Sequence, residues 1–275
     1  MKVALIGLGR TGKTIAEYLL KENVLNMVLC RKDSEYAGLE LSQILNCAET
    51  GIKVETIDHI GLKLLNKHPD VIIDFSGPEF LRENIHILEK HGIHVVTAVT
   101  EYTPADIEKF KKIGKNKRIG IILVPNITYG VNVMMLMAQM AAQLMKDYDF
   151  EIIEAHHNRK KDVPSGTAKK LAYKIDEILQ NFSEEREQLT PVHSIRSGGI
   201  VGKHRVVVVG KYDKIEIIHE SFSSLAFAEG AHKAAKFIVN RVGYYEMEDV
   251  FTEEKNVILA DENVTPDDIA SANIG

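Results

Sequence analysis

Apolar residues follow two rhythms along this chain. In the first half, short runs dense in Val and Ile at 3–6, 27–30, 71–75, 94–97 and 119–124 read as buried strands. Near-continuous apolar runs suit parallel strands that are covered on both faces. Between them, apolar positions recur at helical spacing: Ile15, Leu19 and Leu20, then Phe80, Ile85, Leu88 and His91. Thr103-Pro104 opens a further helix with Ile107, Phe110 and Ile113 on one side. Strand–helix alternation of this kind predicts a doubly wound parallel sheet.

The rhythm changes near Pro125-Asn126. A long apolar helix is predicted over 131–145, carrying Met134, Met135, Met137, Met140 and Met145. We read these as core at a domain or subunit junction, since methionine fills irregular gaps. A strand at 150–155, a polar loop and a helix over 167–179 follow. Three β-rich runs at 192–196, 204–209 and 214–220 come next, punctuated by Gly198-Gly199 and Gly210. This predicts an α+β second domain with an open mixed sheet. A last helix over 226–239 carries Ala231, Ala234 and Ala235 for close packing. Beyond Val250 the chain turns acidic, with six Asp or Glu against Lys255 alone, and reads as a solvated extension over 251–275.

Composition narrows the class. A chain of 275 residues holds one large or two modest domains. A net charge of -5 makes a poor general binder of nucleic acid, whose phosphates require a basic surface. No run approaches the roughly 18 consecutive apolar residues of a membrane span. The first apolar run breaks into glycines too soon for a secretory signal. Cys30 and Cys47 make no disulfide framework, so a cytoplasmic setting is expected.

Two motifs carry candidate chemistry. Gly7-Leu8-Gly9-Arg10-Thr11-Gly12 follows the first strand and opens the first helix, the context a Rossmann-type dinucleotide turn requires. Gly7 permits the tight turn, Gly9 admits a pyrophosphate to the backbone, and Gly12 lets the helix pack on the strand. The second strand ends in Arg31-Lys32 rather than an acid, which favours NADPH. Asp33 and Glu35 nearby keep NADH open.

The second motif is Glu154-Ala155-His156-His157-Asn158-Arg159-Lys160-Lys161-Asp162-Val163-Pro164-Ser165-Gly166-Thr167. From 154 to 170 there are five Lys or Arg against two acids, a basic island in an acidic protein. Ser165-Gly166-Thr167 falls at a predicted helix N-terminus, where free N–H groups, two hydroxyls and an open glycine suit a carboxylate or phosphate. Lys160 adds charge, and a histidine can move a proton near neutral pH. Zinc is not expected, because neither cysteine lies near the histidine pair and no carboxylate has ligand spacing.

The second motif is similar to the active-site segment of the dihydrodipicolinate reductase family, E-x-H-H-x-x-K-x-D-x-P-S-G-T-A, which runs without a gap from Glu154 to Ala168. Asp74-Phe75-Ser76, Pro125 to Asn132, Ile200 to His204, Phe227 to Ala231 and Gly243 to Val250 resemble the family as well. The resemblance implies nicotinamide-dependent reduction of a cyclic dicarboxylate in lysine and diaminopimelate biosynthesis. It implies His156 as proton donor with Lys160 assisting. It places His157, Ser165, Gly166 and Thr167 on a substrate carboxylate. The nucleotide would be held by Gly7, Gly9, Arg10, Thr11, Gly12, Arg31, Phe75, Ser76, Ala98, Thr100 and Asn126.

The resemblance also implies a nucleotide domain over 1–126 that the chain rejoins at 225–250, a substrate and oligomerisation domain over 127–224, and a homotetramer. This sequence departs from the family in three places, one of them the extra acidic tail from Thr252 onward. Ala98-Val99-Thr100-Glu101 stands where the family has Gly-Thr-Thr-Gly, and Ser224-Leu225 stands where it has Ser-Arg. Glu101 motivates an alternative, an amino acid or diamine dehydrogenase in which it pairs with a substrate ammonium. The altered loop motivates another, a nucleotide-binding sensor without turnover.

Overall fold

The computed structural model describes residues 1–182 and 189–251. In chain order the first elements are β1 (Val3–Ile6), α1 (Arg10–Lys21), β2 (Leu25–Cys30), α2 (Leu41–Leu45), β3 (Val54–Thr56) and α3 (Ile60–Lys67). Next come β4 (Val71–Asp74), α4 (Pro78–His91), β5 (His94–Thr97), α5 (Pro104–Lys115), β6 (Gly120–Leu123) and α6 (Tyr129–Leu144). The remainder is β7 (Asp149–His156), α7 (Gly166–Gln180), β8 (Val192–Arg196), β9 (Gly202–Val209), β10 (Lys214–Ser221), α8 (Leu225–Ile238) and β11 (Gly243–Glu246).

All four residues of β1 are buried, and alternate ones serve opposite cores. Val3 and Leu5 pack with Ile15, Leu19 and the α8 residues Ala231, Ala234 and Ile238. Ala4 and Ile6 pack with Leu64, Leu81, Ile85 and Phe110 from α3, α4 and α5. The two layers enclose a seven-stranded sheet of order β11-β6-β5-β4-β1-β2-β3, parallel throughout. Each fully buried Leu, Ile or Phe adds roughly 1.5–3 kcal/mol of favourable transfer free energy. The reversal of strand order between β1 and β4 opens a crevice at the carboxyl ends of the strands.

The second sheet has order β10-β9-β7-β8, with β7 and β8 parallel and the other pairs antiparallel. Its inner face (Phe150, Ile152, Val206, Val208, Ile217) packs on Met134 and Met135 of α6 and on Leu171 and Ile175 of α7. On the opposite face Ile195, Val209 and Ile218 are exposed. No helix among the described residues is long and apolar enough to cross a membrane.

The predicted fold class, a Rossmann-type parallel sheet plus an α+β domain with a mixed sheet, is the one observed. Several elements differ from the sequence reading. The pattern did not predict α2, β3, α3 or β11. β3 buries Val54 alone, α2 has five residues, and all four β11 residues are half-buried, so these three have no clear periodicity; α3 does carry a helical trace, with Ile60 and Leu64 buried one turn apart. The methionine helix starts at Tyr129, two residues early, and is only partly core: Met137 and Met140 are 50% and 56% exposed. The acidic tail from Thr252 lies outside the described residues.

The closest helix approach is at Gly230 in α8. A Cβ there would sit 1.8 Å from the Ile127 carbonyl oxygen, where the chain leaves β6 for α6. Gly230→Ala must push α8 or this crossing segment aside. We expect a loss of about 1–3 kcal/mol, read as a lowered thermal midpoint.

Candidate active site

The β1–α1 turn is built as its glycines require. Gly7 has φ +94°, and a Cβ there would lie 2.6 Å from the Phe75 carbonyl oxygen. A Cβ on Gly12 would lie 2.0 Å from the Gly7 carbonyl oxygen, so this glycine accommodates the turn rather than the body of the strand. Nothing lies within 4 Å of a Cβ on Gly9, which caps α1 without a side-chain hydrogen bond. The helix N-terminus therefore faces a cleft of about 1220 Å³. Of the sequence-predicted nucleotide residues, Gly7, Gly9, Arg10, Arg31, Phe75 and Ser76 line this cleft. Thr11, Gly12, Ala98, Thr100 and Asn126 are not among its lining residues. Lys13 and Tyr36, which the sequence reading missed, are, and the Lys13 ammonium lies 4.5 Å from the Tyr36 ring centre. Arg31 is exposed with its Nε 3.7 Å from Asp33.

Asp74, at the carboxyl end of β4, anchors the cleft floor and is fully buried. Its Oδ1 accepts from the Ser76 N–H (2.9 Å) and hydroxyl (2.6 Å). Its Oδ2 accepts from Thr97 (3.2 Å) and Tyr102 (3.4 Å), whose hydroxyl oxygens are 3.0 Å apart. Burial pushes the Asp74 carboxyl above its ordinary range, against the pull of these donors. Tyr102 is pushed up by burial and by Asp74, so it stays a hydroxyl. The network ties the end of β5 and the 98–101 loop to β4. Glu101 lines the cleft, and its carbonyl accepts from Arg82 (3.2 Å).

The second motif sits where the inner face of the other sheet turns polar. Cross-strand register aligns Ser194, Glu154, His204 and His219 in one row across β8, β7, β9 and β10. His156, two residues beyond Glu154, shares that face. Its Nδ1–H donates to Glu154 Oε2 at 2.6 Å, and its ring meets His204 edge-on, 5.2 Å between centres. Glu154 also accepts from Arg196 Nη2 (2.6 Å) and Nη1 (2.8 Å) and from the Ser165 N–H (3.2 Å). Burial works to raise the Glu154 carboxyl, but these donors, Arg196 first, bring it down to about 2. Burial lowers the His156 imidazole, with Glu154 pulling the other way. His204 is pushed down to about 3 by burial and by its histidine neighbours.

Ser165 caps α7, its Oγ accepting from the Ala168 N–H (3.2 Å) and lying 3.3 Å from His204 Nε2. A Cβ on Gly166 would meet open space. Lys160 Nζ pairs with Asp162 Oδ1 at 2.8 Å. Partial burial works to raise Asp162, but Lys160, and to a smaller degree the Gly166 N–H, holds it below its ordinary value. Lys160, expected on the anion, thus already holds a carboxylate of its own loop. His157 Nδ1 is buried without a hydrogen-bond partner. Asn126 Nδ2 donates to Thr167 Oγ1 at 2.5 Å, joining the end of β6 to the start of α7. Among the described residues no group of three His, Cys, Asp or Glu side chains is placed to hold a metal ion.

The sequence reading placed Glu154 in the motif without a role, and gave none to Arg196, His204 or the Asp74–Thr97–Tyr102 cluster. A signal for Glu154 existed: Glu and His two apart on a strand share a face.

A glycine-opened crevice on a parallel sheet, beside a second domain carrying a basic, histidine-bearing helix start, defines a two-domain nicotinamide-dependent oxidoreductase. Family models for the N-terminus and C-terminus of dihydrodipicolinate reductase match residues 1–127 and 130–251. The chain belongs to the dihydrodipicolinate reductase family. It is 32% identical over 260 residues to the 4-hydroxy-tetrahydrodipicolinate reductase of Methanosarcina barkeri, covering 91% of this chain and 98% of that one. Among solved structures, dipicolinate-bound dihydrodipicolinate reductase from Paenisporosarcina matches with a TM-score of 0.73 at 24% identity, over 90% of this chain and 97% of that one. An amine dehydrogenase from Mycobacterium smegmatis shares the fold with a TM-score of 0.59 at 11% identity, over 90% and 95%.

Two measurements follow. Tyr102→Phe removes one donor from buried Asp74 and should lower stability by about 0.5–1.5 kcal/mol in urea titrations. Glu154 has a depressed folded-state pKa, so its contribution to stability is present above its unfolded value near 4.5 and lost as pH falls towards 2. Glu154→Gln should therefore show a flatter fall of unfolding midpoint with acidity than the wild type.

Proposed function

We propose that the chain reduces a cyclic unsaturated dicarboxylate, dihydrodipicolinate or its 4-hydroxy-tetrahydro form, to tetrahydrodipicolinate with NADPH or NADH, in lysine and diaminopimelate biosynthesis. The observation that carries this is the meeting, at one sheet end, of a histidine held through its Nδ1 by Glu154 and a lysine already paired with a carboxylate, next to the open start of α7. The cleft fits a dinucleotide: Gly9 leaves its backbone open, and Gly7 and Gly12 close the turn behind it. Gly7, Gly9, Arg10 and the α1 N-terminus hold the pyrophosphate, with Arg31, Phe75 and Ser76 along the cleft and Ala98, Thr100 and Asn126 towards the second domain. Arg31 beside Asp33 suits either nucleotide, one through a 2′-phosphate and the other through a ribose hydroxyl. The reduced nicotinamide supplies the hydride.

The protein side of the chemistry follows from the geometry. His156 gives a proton from Nε2 to the substrate. Lys160 offsets developing negative charge. His157, Ser165, Gly166 and Thr167 hold one carboxylate at the α7 N-terminus, which displaces Asp162 from Lys160. The nucleotide domain runs over 1–126 with 225–250, and the substrate domain over 127–224. The open sheet face with Ile195, Val209 and Ile218 serves homotetramer assembly in the cytoplasm. Glu101 in the cleft lining favours one second reading, reductive chemistry on an amine or amino acid.

The test is oxidation of NADPH and of NADH with substrate made in situ from pyruvate and aspartate semialdehyde. His156→Gln and Lys160→Ala should each lower turnover by about 10²-fold or more. Pyridine-2,6-dicarboxylate should compete with the substrate. Absence of turnover with the dicarboxylate, alongside turnover of amines, would overturn the assignment.

A further inference from the structure

The proton donor is held by groups that never reach the substrate. Glu154 is fully buried and receives four donors from three separate segments: His156 Nδ1–H in its own strand, both Arg196 amino groups in β8, and the Ser165 N–H at the α7 cap. Arg196 then reaches on, Nη2 donating to the Asp162 carbonyl at 2.7 Å. That carbonyl belongs to the residue whose side chain pairs with Lys160. One ion pair thus fixes the histidine ring, the loop bearing the lysine and the helix start that seats the anion.

We propose that Glu154 and Arg196 are the positioning pair of this active site, setting the tautomer of His156 and holding Lys160 and the α7 N-terminus in register with it. The inference rests on the reading of His156 as the proton donor. A carboxylate on Nδ1 forces the ring proton there, leaving Nε2 as the group that protonates and donates. A fork-shaped guanidinium is the side chain that can grip both carboxylate oxygens and still span to a loop carbonyl. Burial of the Glu154 carboxylate makes it depend on its partner, because that charge left alone would be uncompensated, while Arg196 keeps a solvent-reaching edge.

The electrostatic surroundings of His156 come from every element packed on it: Glu154 on β7, Arg196 on β8, His204 on β9 and Lys160 on the loop, with His219 on β10 behind His204. Glu154 is the carboxylate among them, so its charge favours the imidazolium against burial and the cations. His156 must carry a proton to donate one, so turnover falls as pH rises through its titration. Removing the carboxylate moves that alkaline limb to lower pH.

The experiment combines pH–rate profiles with histidine NMR. Glu154→Gln should lower kcat by about tenfold or more. It should shift the alkaline limb of kcat to lower pH and leave the KM for NADPH unchanged. Arg196→Lys, which keeps the charge but loses the fork, should lower kcat and raise the KM for the dicarboxylate, with a smaller shift of the limb. A folded Glu154→Gln enzyme with the wild-type kcat and limb would overturn the proposal. Should that variant not fold, nitrogen-15 spectra of histidine-labelled wild type decide the matter. Neutral His156 protonated on Nδ1 upholds the proposal, and a proton on Nε2 overturns it. A wild type that does not reduce the dicarboxylate counts against the reaction assigned above, whereas wild-type turnover with unshifted variants counts against the positioning pair alone.

Discussion

A single buried carboxylate organises the second domain. Glu154 lies where the inner face of its sheet changes from apolar to polar: Phe150 and Ile152 precede it on the same face, and His156 follows. A charge without solvent must be matched by donors or it neutralises. Here the matching groups come from β7, β8 and the cap of α7, so satisfying one side chain joins three pieces of backbone. Each of those pieces also carries, or adjoins, a residue of the candidate chemistry. Fold and site are therefore specified by the same contacts at this point.

The first domain works from a different constraint, the absence of side chains. Gly7 and Gly12 are fixed by backbone oxygens 2.6 and 2.0 Å from where a Cβ would stand, while Gly9 is open. Two glycines close the turn and the third exposes it. Asp74 supports the same rim from beneath, with Thr97 and Tyr102 bridging from the neighbouring strand end and loop. The two domains are joined by Asn126 to Thr167 and by Lys170 and Lys174, which lie within 3.6 Å of Glu246 or Glu248.

Much of this was legible because strong patterns coincide with function. The buried strands show as Val and Ile runs, the helix starts as Gly9 and Ser165, and both motifs fall at those starts. What was not legible depends on pairing across distance. Arg196 lies 42 positions from Glu154, and nothing local distinguishes it from a surface arginine. Tyr102 reaches Asp74 from a loop, and β11 becomes a strand only because β6 offers it an edge. α2 and β3 each bury a single residue, too few to leave a periodic trace. Asn126 binds Thr167, a pairing that spacing along the chain does not encode.

The parallel pairing of β7 with β8 in an otherwise antiparallel sheet has a consequence of its own. It makes β7–α7–β8 a crossover unit, so the second domain repeats in miniature the architecture of the first. Both candidate anion seats are then strand-to-helix junctions at the carboxyl ends of parallel strands, each opened by a glycine. Such junctions can change in length and sequence without altering the strands that carry them. The segment from His157 to Pro164 is thus a loop that can vary while the sheet beneath keeps His156 in place. Changes there leave the residues of both cores untouched.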